Sequence, residues 1–281
     1  MPDSGACRKR KRALTFMNLS TLAEIRYDAA VNRLEPALLL ALIAHGEHGA
    51  VARIFSADQG LGSVYIRGAR GRRMRGLLQI GNILALDVVT RGEQQLPVAT
   101  PYLLTSCLAM LHGAAALAMV EHACLLCSQL LPEGEAQPRL YGQVAAVVAA
   151  AGAGAPPLAL GSALVRLELA LLQELGMGLD LASCAATGTA DDLAFVSPRS
   201  RQAVSRAAGL PWAARLLPLP AFVLAGGDGD AEQVAQGLAL TGHFLERDVL
   251  AGHPHCKARE RIRAARARLA GLLLAGLPPP G

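Results

Sequence analysis

The twelve residues from Tyr65 to Gly76, YIRGARGRRMRG, carry a dense cluster of cations and no acidic residue. The five arginines are Arg67, Arg70, Arg72, Arg73 and Arg75. Guanidinium groups bind phosphate through two hydrogen bonds and stack on bases, and Gly68 and Gly71 let the backbone approach a bound strand. The run therefore predicts binding of a nucleic-acid backbone. A solvated surface loop is the alternative, although five arginines without acidic partners would repel one another.

Arg53 in the preceding apolar segment and Arg91 in the following turn extend the predicted DNA-binding track. Aromatic residues give less support for base stacking. Tyr65, Phe55 and Tyr102 are the aromatics of this region, and each of them is also a candidate for the core. Nothing in the pattern indicates that a particular base sequence is read.

A second basic cluster lies at residues 257–268, which hold six basic residues and one acidic residue. Arg259, Arg263 and Arg266 have the spacing i, i+4 and i+7, so they are expected to share one helical face, with Ile262 and Leu269 near another. Such a helix is a candidate contact for DNA, a membrane surface or an acidic protein tail. An ordinary solvated face is the alternative.

Three short patterns contain residue types that bind metals, but their surroundings do not support a metal site. HGEHG at 45–49 lies in a glycine-flanked turn, GHPHC at 252–256 lacks a fourth ligand nearby, and the CxxC at 124–127 has no second pair. The acidic pair at 191–192 has no nucleophile and base around it, and the chain has no phosphate loop. We predict no metal, no cofactor and no enzymatic activity.

Composition indicates a folded, mainly helical protein: 281 residues, 52% hydrophobic, only 4% aromatic, with a net charge of +5. Basic residues exceed acidic ones in residues 1–35 and 36–106, a distribution that favours a polyanionic partner. The six cysteines lack the spacing of a disulfide framework, which favours a reduced, cytoplasmic setting. The apolar run at 107–131 contains Glu121 and His122, so we expect a helix buried in a bundle and no membrane span.

The elements that must position these residues divide the chain into three parts. Residues 1–35 form a leader without clear periodicity, in which Met17 is a second candidate start. Residues 36–106 contain short apolar runs separated by turns, which predict four or five strands in a small closed barrel. Residues 107–281 are mainly helical, with a two-stranded excursion at about 183–210. The helices are expected at 107–131, 138–151, 160–176, 231–250 and 257–275.

Several segments in this order resemble the RecO family of DNA repair and recombination mediators. They are HGEHGAVARIF and DQGLGSVYIRGAR, LPEGEAQPRLY, LVRLELALLQELGMGLDLASCAATG, AFVSPRSRQAVSR, RLLPLP and LTGHFLERDVL. Together they extend from about residue 36 to 260 with the spacing of the family. The resemblance implies an α+β architecture, with an N-terminal OB-fold barrel followed by a helical domain, and no catalytic centre.

The resemblance also implies the partners of the protein. Members of the family bind single- and double-stranded DNA, anneal complementary strands and work with RecR. They also bind the acidic C-terminal tail of single-strand-binding protein, and they help to replace that protein with RecA, which is thus an indirect partner. The setting is the cytoplasm, in association with the nucleoid. An interaction scaffold whose basic patches bind an acidic protein is the alternative reading.

The chain departs from the family pattern in the excursion. Many relatives carry four zinc-binding cysteines there, but this chain has Thr187 where the partner of Cys184 would be, and no second pair follows before residue 212. We therefore predict no structural zinc and expect packing around Leu193, Phe195 and Val196 to hold the excursion together. The leader and residues 77–100 match the family least well.

Overall fold

The structure is a computed structural model that describes residues 36–90, 96–107, 111, 113–253 and 255–275. The predicted leader at 1–35 and the predicted DNA contact Arg91 lie outside these ranges.

The N-terminal part is a closed barrel of five strands. They are β1 (Ala37–His45), β2 (Gly49–Ser56), β3 (Gly60–Ile66), β4 (Ile83–Val89) and β5 (Val98–Thr105), with a short helix α1 (Arg72–Leu77) between β3 and β4. The strand order is β1-β2-β3-β5-β4, and β1 closes the ring by pairing with β4. β3 and β5 pair in parallel and the other neighbours are antiparallel. The predicted OB-fold barrel is confirmed.

The first half of strand β1, Ala37 to Leu40, is buried on both faces. Leu39 points into the barrel core, whereas Leu38 and Leu40 pack with the helices that follow. Side chains alternate between the two faces of a strand, so a continuous apolar run is what a strand between two cores requires. The run ALLL at the start of this strand thus reflects two neighbours, the barrel interior and the helical domain.

The C-terminal part is mainly helical, as predicted. Its helices are α2 (Ala114–Leu130), α3 (Pro138–Gly152), α4 (Pro157–Glu174), α5 (Arg206–Gly209), α6 (Ala221–Ala225), α7 (Ala231–Phe244) and α8 (Cys256–Leu274). A 3₁₀ segment (Leu210–Arg215) follows α5, and a π-helical segment (Leu245–Leu250) follows α7. Helix α2 packs against α3, α4 and α8. Among the described residues, none of the helices is long and apolar enough to cross a membrane.

Local signals explain where several helices begin and end. Pro138 and Pro157 occupy the first positions of α3 and α4, where a missing backbone N–H costs nothing. The side chain of Asp230 accepts a hydrogen bond from the Gln233 N–H at 2.9 Å and caps α7. Helix α4 is closed by Gly176 with φ of +74°, after which the Met177 N–H donates to the Leu172 carbonyl at 2.8 Å.

The excursion at 183–210 contains the two strands that were predicted, and the structure adds a third strand outside this range. It contributes two strands, β6 (Leu193–Val196) and β7 (Ala203–Ser205), but a third strand, β8 (Leu217–Pro218), pairs with the other side of β6. Strand β8 has only two residues and one of them is proline, which a strand tolerates at an edge. A sequence pattern of two residues is too short to predict a strand. Val196 is fully buried and anchors the sheet in the helical core.

The barrel and the helical domain share one hydrophobic core. Phe55 on β2 lies edge-on to Tyr141 on α3, with ring centroids 5.6 Å apart. In the loop between α2 and α3, the Gly134 N–H donates to the carbonyl of Leu61 on β3 at 2.9 Å. The loop thus adds a backbone contact beside β3, and the helical domain covers this side of the barrel.

Candidate nucleic-acid interface

The arginine-rich segment follows β3 as a turn and a short helix. The chain leaves β3 at Ile66, turns at residues 67–71 and enters α1, with Gly68 at φ of +63° and the Gly71 N–H donating to the Gly68 carbonyl at 2.9 Å. The arginines therefore follow directly after the antiparallel pair formed by β2 and β3. The neighbour of β3 in the barrel is β5 and not β4, so the chain must cross the end of the barrel before β4 begins.

Apolar side chains anchor this crossing and turn the arginines outward. Ala69 and Leu78 are buried, and Met74 packs against the barrel core. With that face of the segment occupied, all five arginines are exposed to solvent. The five exposed residues are called the basic rim below: Arg67, Arg70, Arg72, Arg73 and Arg75.

The charges of the basic rim are not neutralised by the carboxylates that the structure describes. Within the part of the chain that the structure describes, none of its five guanidinium groups forms an ion pair with a carboxylate. Arg70 is held in place by two neutral carbonyls. Its backbone N–H donates to the His48 carbonyl at 3.3 Å, and its side-chain Nη1 donates to the Glu47 carbonyl at 3.1 Å. These bonds tie the rim to the turn between β1 and β2 and leave its charge available.

An apolar groove of about 250 Å³ opens beside the rim. Arg67 and Met74 form one wall, and residues of β5 form the other. Val98, Thr100 and Pro101 are among them. A cation next to a small apolar groove offers both a phosphate contact and a surface for a base, the two interactions on which single-strand binding by OB folds depends.

Arg53 lies away from the rim and is ion-paired. Its Nη1 donates to Glu133 Oε1 at 2.7 Å, and the Ser63 hydroxyl donates to the same oxygen at 3.1 Å. Glu133 belongs to the loop between α2 and α3, so this pair joins the barrel to the helical domain. The sequence placed Arg53 on the DNA track because it lies in the apolar segment before the arginine run. Its pairing with Glu133, 80 residues away, leaves no local pattern.

The three barrel aromatics have different environments. Phe55 is fully buried in the shared core. Tyr65 is half-buried, and its ring lies edge-on to His45 with centroids 5.9 Å apart. Tyr102 is 50% exposed, and its hydroxyl donates to Asp87 at 3.0 Å. Only Tyr102 therefore presents a substantial ring surface to solvent.

The arginines of α8 share a face, as predicted, but that face is turned towards the helical domain. Arg259 donates to the Ala251 carbonyl at 3.2 Å, and Arg263 forms a bidentate pair with Glu246. Arg266 reaches into the core and pairs with Glu168. The amphipathic pattern correctly predicted that these arginines share a face. It could not show that Arg263 and Arg266 pair with acidic residues elsewhere in the chain.

Arg266 completes a buried polar cluster that the sequence did not reveal. Its Nε and Nη2 donate to the two carboxylate oxygens of Glu168 at 2.8 and 3.0 Å, and the Thr241 hydroxyl also donates to Glu168. His122 Nε2 lies 3.5 Å from Glu168 Oε1. Burial by itself raises the pKa of Glu168, but the Arg266 charge and the contacts of His122 and Arg266 outweigh it and lower the pKa to about 2. Glu168, which interrupts the apolar residues in the middle of α4, was the available signal.

The excursion is organised without a ligand cluster. The Cys184 thiol is buried, and its Sγ accepts a hydrogen bond from the Ser205 N–H at 3.2 Å. Outside the excursion, in the GHPHC segment, His253 Nε2 contacts the Gln129 carbonyl at 3.1 Å. No group of three or more histidine, cysteine or acidic residues with metal-binding geometry is present among the described residues.

The fold defines a class of protein: an OB-type barrel with a basic rim, joined through one core to a helical domain that carries a small sheet. Comparison with known proteins specifies the class further. Residues 32–105 match the family model described as Recombination protein O N terminal, and residues 112–256 match the model described as Recombination protein O C terminal.

Individual relatives agree with the family models. The chain is 41% identical over 237 residues to a protein named DNA repair protein RecO from Rhodospirillum rubrum, across 80% of this chain and 94% of the relative. It is 42% identical over 230 residues to a protein of the same name from a Jannaschia species, across 80% and 92%. The corresponding protein of a Caulobacter species is 40% identical over 222 residues, across 78% and 89%. The chain belongs to the RecO family, which confirms the resemblance seen in the sequence.

Proposed function

We propose that this protein is a non-enzymatic DNA-binding mediator of repair and recombination. The arginines of its basic rim bind the phosphates of single- and double-stranded DNA, and the protein anneals complementary strands. The observation that carries the proposal is the set of five exposed guanidinium groups on the end of an OB-type barrel, without carboxylate partners among the described residues. Membership of the RecO family and the names of the relatives support a role in DNA repair.

The mechanism is electrostatic. Two complementary strands repel each other through their phosphates, and a bound protein that replaces condensed counterions with arginines lowers the charge of one strand. The arginines of the rim, Arg67 among them, hold the backbone at one side and leave base edges free to pair. Binding of this kind is independent of base sequence, because phosphate contacts carry no sequence information.

The partners follow from the family. We propose that RecR and the acidic tail of single-strand-binding protein bind this chain, and that RecA is loaded as a consequence, in the cytoplasm and in association with the nucleoid. Of the three α8 arginines considered for such contacts, Arg259 and Arg266 are engaged with the helical domain. Arg263 keeps half of its side chain exposed but is paired with Glu246, so it would have to exchange that partner to bind an acidic tail.

Replacement of three rim arginines tests the proposal. The variant changes Arg70, Arg72 and Arg73 together to alanine. A matched control removes three exposed arginines of the helical domain, Arg139, Arg261 and Arg268, so that the net charge of the two variants is equal. Annealing of complementary oligonucleotides by purified protein is measured at fixed salt. We expect the rim variant to lose annealing and the control to retain it.

The same variants separate the proposal from an interaction scaffold. If the rim binds an acidic protein and DNA is incidental, the rim variant loses capture of RecR or of an immobilised acidic tail peptide and anneals DNA as well as the control does. Lost annealing with intact capture supports the mediator. Equal annealing by both variants contradicts it.

A further inference from the structure

The 3₁₀ segment of the helical domain presents an apolar surface to solvent. Every residue from Leu210 to Arg215 is exposed, with Leu210 at 66% and Trp212 at 57%. Trp212 is the one tryptophan of the chain. A tryptophan and a leucine left in water on the same segment cost free energy unless a partner covers them, so this surface is a candidate for binding.

Positive charge accompanies the exposed ring. The guanidinium of Arg215 lies over the Trp212 ring, 5.7 Å from its centroid. Arg201 and Arg206, nearby in the excursion, are paired with Asp248 and Asp192. Within the described ranges Arg215 has no such carboxylate partner, so its charge remains available to a bound anion.

Strand register places another available cation at the same end of the small sheet. Leu217 of β8 pairs with Val196 of β6, and the two strands are antiparallel. Arg215, which precedes Leu217, therefore lies towards the turn between β6 and β7, and Arg199 is at that turn. Arg199 is exposed and, among the residues with described positions, it too lacks an ion pair.

The exposed segment is fixed to a folded base. Gly209, just before it, is buried so tightly that a Cβ there would lie 2.4 Å from Cδ2 of Phe195. Pro211 restricts the first turn, and the chain returns directly into β8. An aromatic ring held in this way loses little conformational entropy when a ligand stacks on it.

We propose that Trp212 is a stacking platform for a base of single-stranded nucleic acid, with Arg215 and Arg199 binding the adjacent phosphates. The inference rests on the proposed function and adds to it a contact outside the barrel. A nucleobase needs one open ring face and a nearby cation. An apolar peptide side chain needs a concave pocket, which six consecutive exposed residues do not provide. The charge and shape of the surface therefore favour nucleic acid over an acidic peptide.

Fluorescence of the unmodified protein tests the inference, because all tryptophan emission comes from Trp212. Oligothymidylate is titrated into the full-length protein while the emission of Trp212 and the anisotropy of a label on the oligonucleotide are followed together. We expect quenching that saturates with the anisotropy change. Polyphosphate, which has the charge but no bases, is expected to bind without quenching. Quenching by polyphosphate, or an anisotropy change without quenching by oligothymidylate, would overturn the proposal.

Substitutions provide a second measurement. Because stacking of one base contributes a measurable share of single-strand affinity, Trp212→Ala is expected to weaken oligothymidylate binding about fivefold or more, and Trp212→Phe to retain most of it. Leu224→Ala, at another exposed apolar position of the helical domain, is the matched control and is expected to bind like the wild type. Equal affinity of Trp212→Ala and Leu224→Ala would overturn the proposal.

The two readouts distinguish failure of this inference from failure of the proposed function. If anisotropy shows binding but the emission of Trp212 does not change, DNA binding by the basic rim still holds and the role of Trp212 is refuted. If neither readout shows binding, both the inference about Trp212 and the proposed function are refuted. A blue shift of Trp212 on addition of an acidic apolar peptide, together with silence towards oligothymidylate, assigns the surface to a protein partner and overturns the inference.

Discussion

Glu168 on α4 and Arg266 on α8 form a bidentate ion pair inside the helical domain, 98 residues apart in the chain. Thr241 of α7 donates a hydrogen bond to the same carboxylate, and His122 of α2 lies beside it. Four helices thus converge on one buried charge. A buried pair of this kind fixes which helices pack together more than it adds to net stability, because both charges have been removed from water.

Acid should destabilise the protein through Glu168. Its pKa is about 2 in the folded protein against an ordinary value of 4.5, so the stabilisation is complete above pH 4.5 and is lost as the pH falls towards 2. The full effect is about 3 kcal/mol. Denaturant unfolding across this range should show a steeper loss for the wild type than for Glu168→Gln. Glu174→Gln, at an exposed position of the same helix, should keep the wild-type slope, and a shared slope for all three proteins would contradict the assignment.

Removal of Arg266 should be far more damaging than removal of Arg263. Arg266→Met leaves Glu168 buried without its cation and should cost about 3–5 kcal/mol of unfolding free energy. Arg263→Ala breaks an exposed pair with Glu246 and should cost less than about 1 kcal/mol. Chemical denaturation monitored by circular dichroism compares the two. Equal losses would show that the Glu168 cluster does not hold α8.

The contact between the barrel and the helical domain depends on Gly60. A Cβ at this position would lie 1.8 Å from the Glu135 carbonyl oxygen, and φ is +66°. Gly60→Ala should therefore destabilise the protein by about 3 kcal/mol. Gly46 has a similar φ of +65° with open space around it, so Gly46→Ala should cost only about 1–2 kcal/mol. Thermal unfolding compares the two variants. A lower melting temperature for Gly46→Ala than for Gly60→Ala would contradict the account.

The excursion should be stable without metal. Because no metal-binding cluster is found among the described residues and the Cys184 thiol accepts a backbone hydrogen bond, a chelator should leave the melting temperature unchanged. Elemental analysis of the purified protein should find zinc far below one equivalent. A chelator-dependent fall in melting temperature together with stoichiometric zinc would refute this prediction.

The sequence predicted the features that depend on local pattern. The apolar runs of the barrel, the helix that stops at Gly176 and the arginine-rich segment after β3 all have periodicity or composition that a single segment reveals. Helix α1 escaped prediction because its six residues have no apolar repeat, and its position is imposed by the crossing from β3 to β4.

The missed parts of the site are set by distant partners. Arg53 was assigned to DNA and pairs with Glu133; Arg266 was assigned to a surface and pairs with Glu168. In each case the arginine was visible and its carboxylate partner was not identifiable before the fold was known. The sequence can thus indicate where cations cluster, and only the tertiary structure shows which of them are already neutralised.

The salt dependence of single-strand affinity tests the central claim most directly. If the five arginines of the basic rim neutralise about five phosphates, they should contribute about −3.5 to the slope of the logarithm of the association constant for oligothymidylate against the logarithm of salt concentration. The Arg70, Arg72 and Arg73 triple alanine variant should make the slope less steep by about 2.1, the share of three phosphates. A wild-type slope in the triple variant, or no binding by the wild type in dilute buffer, would contradict the account.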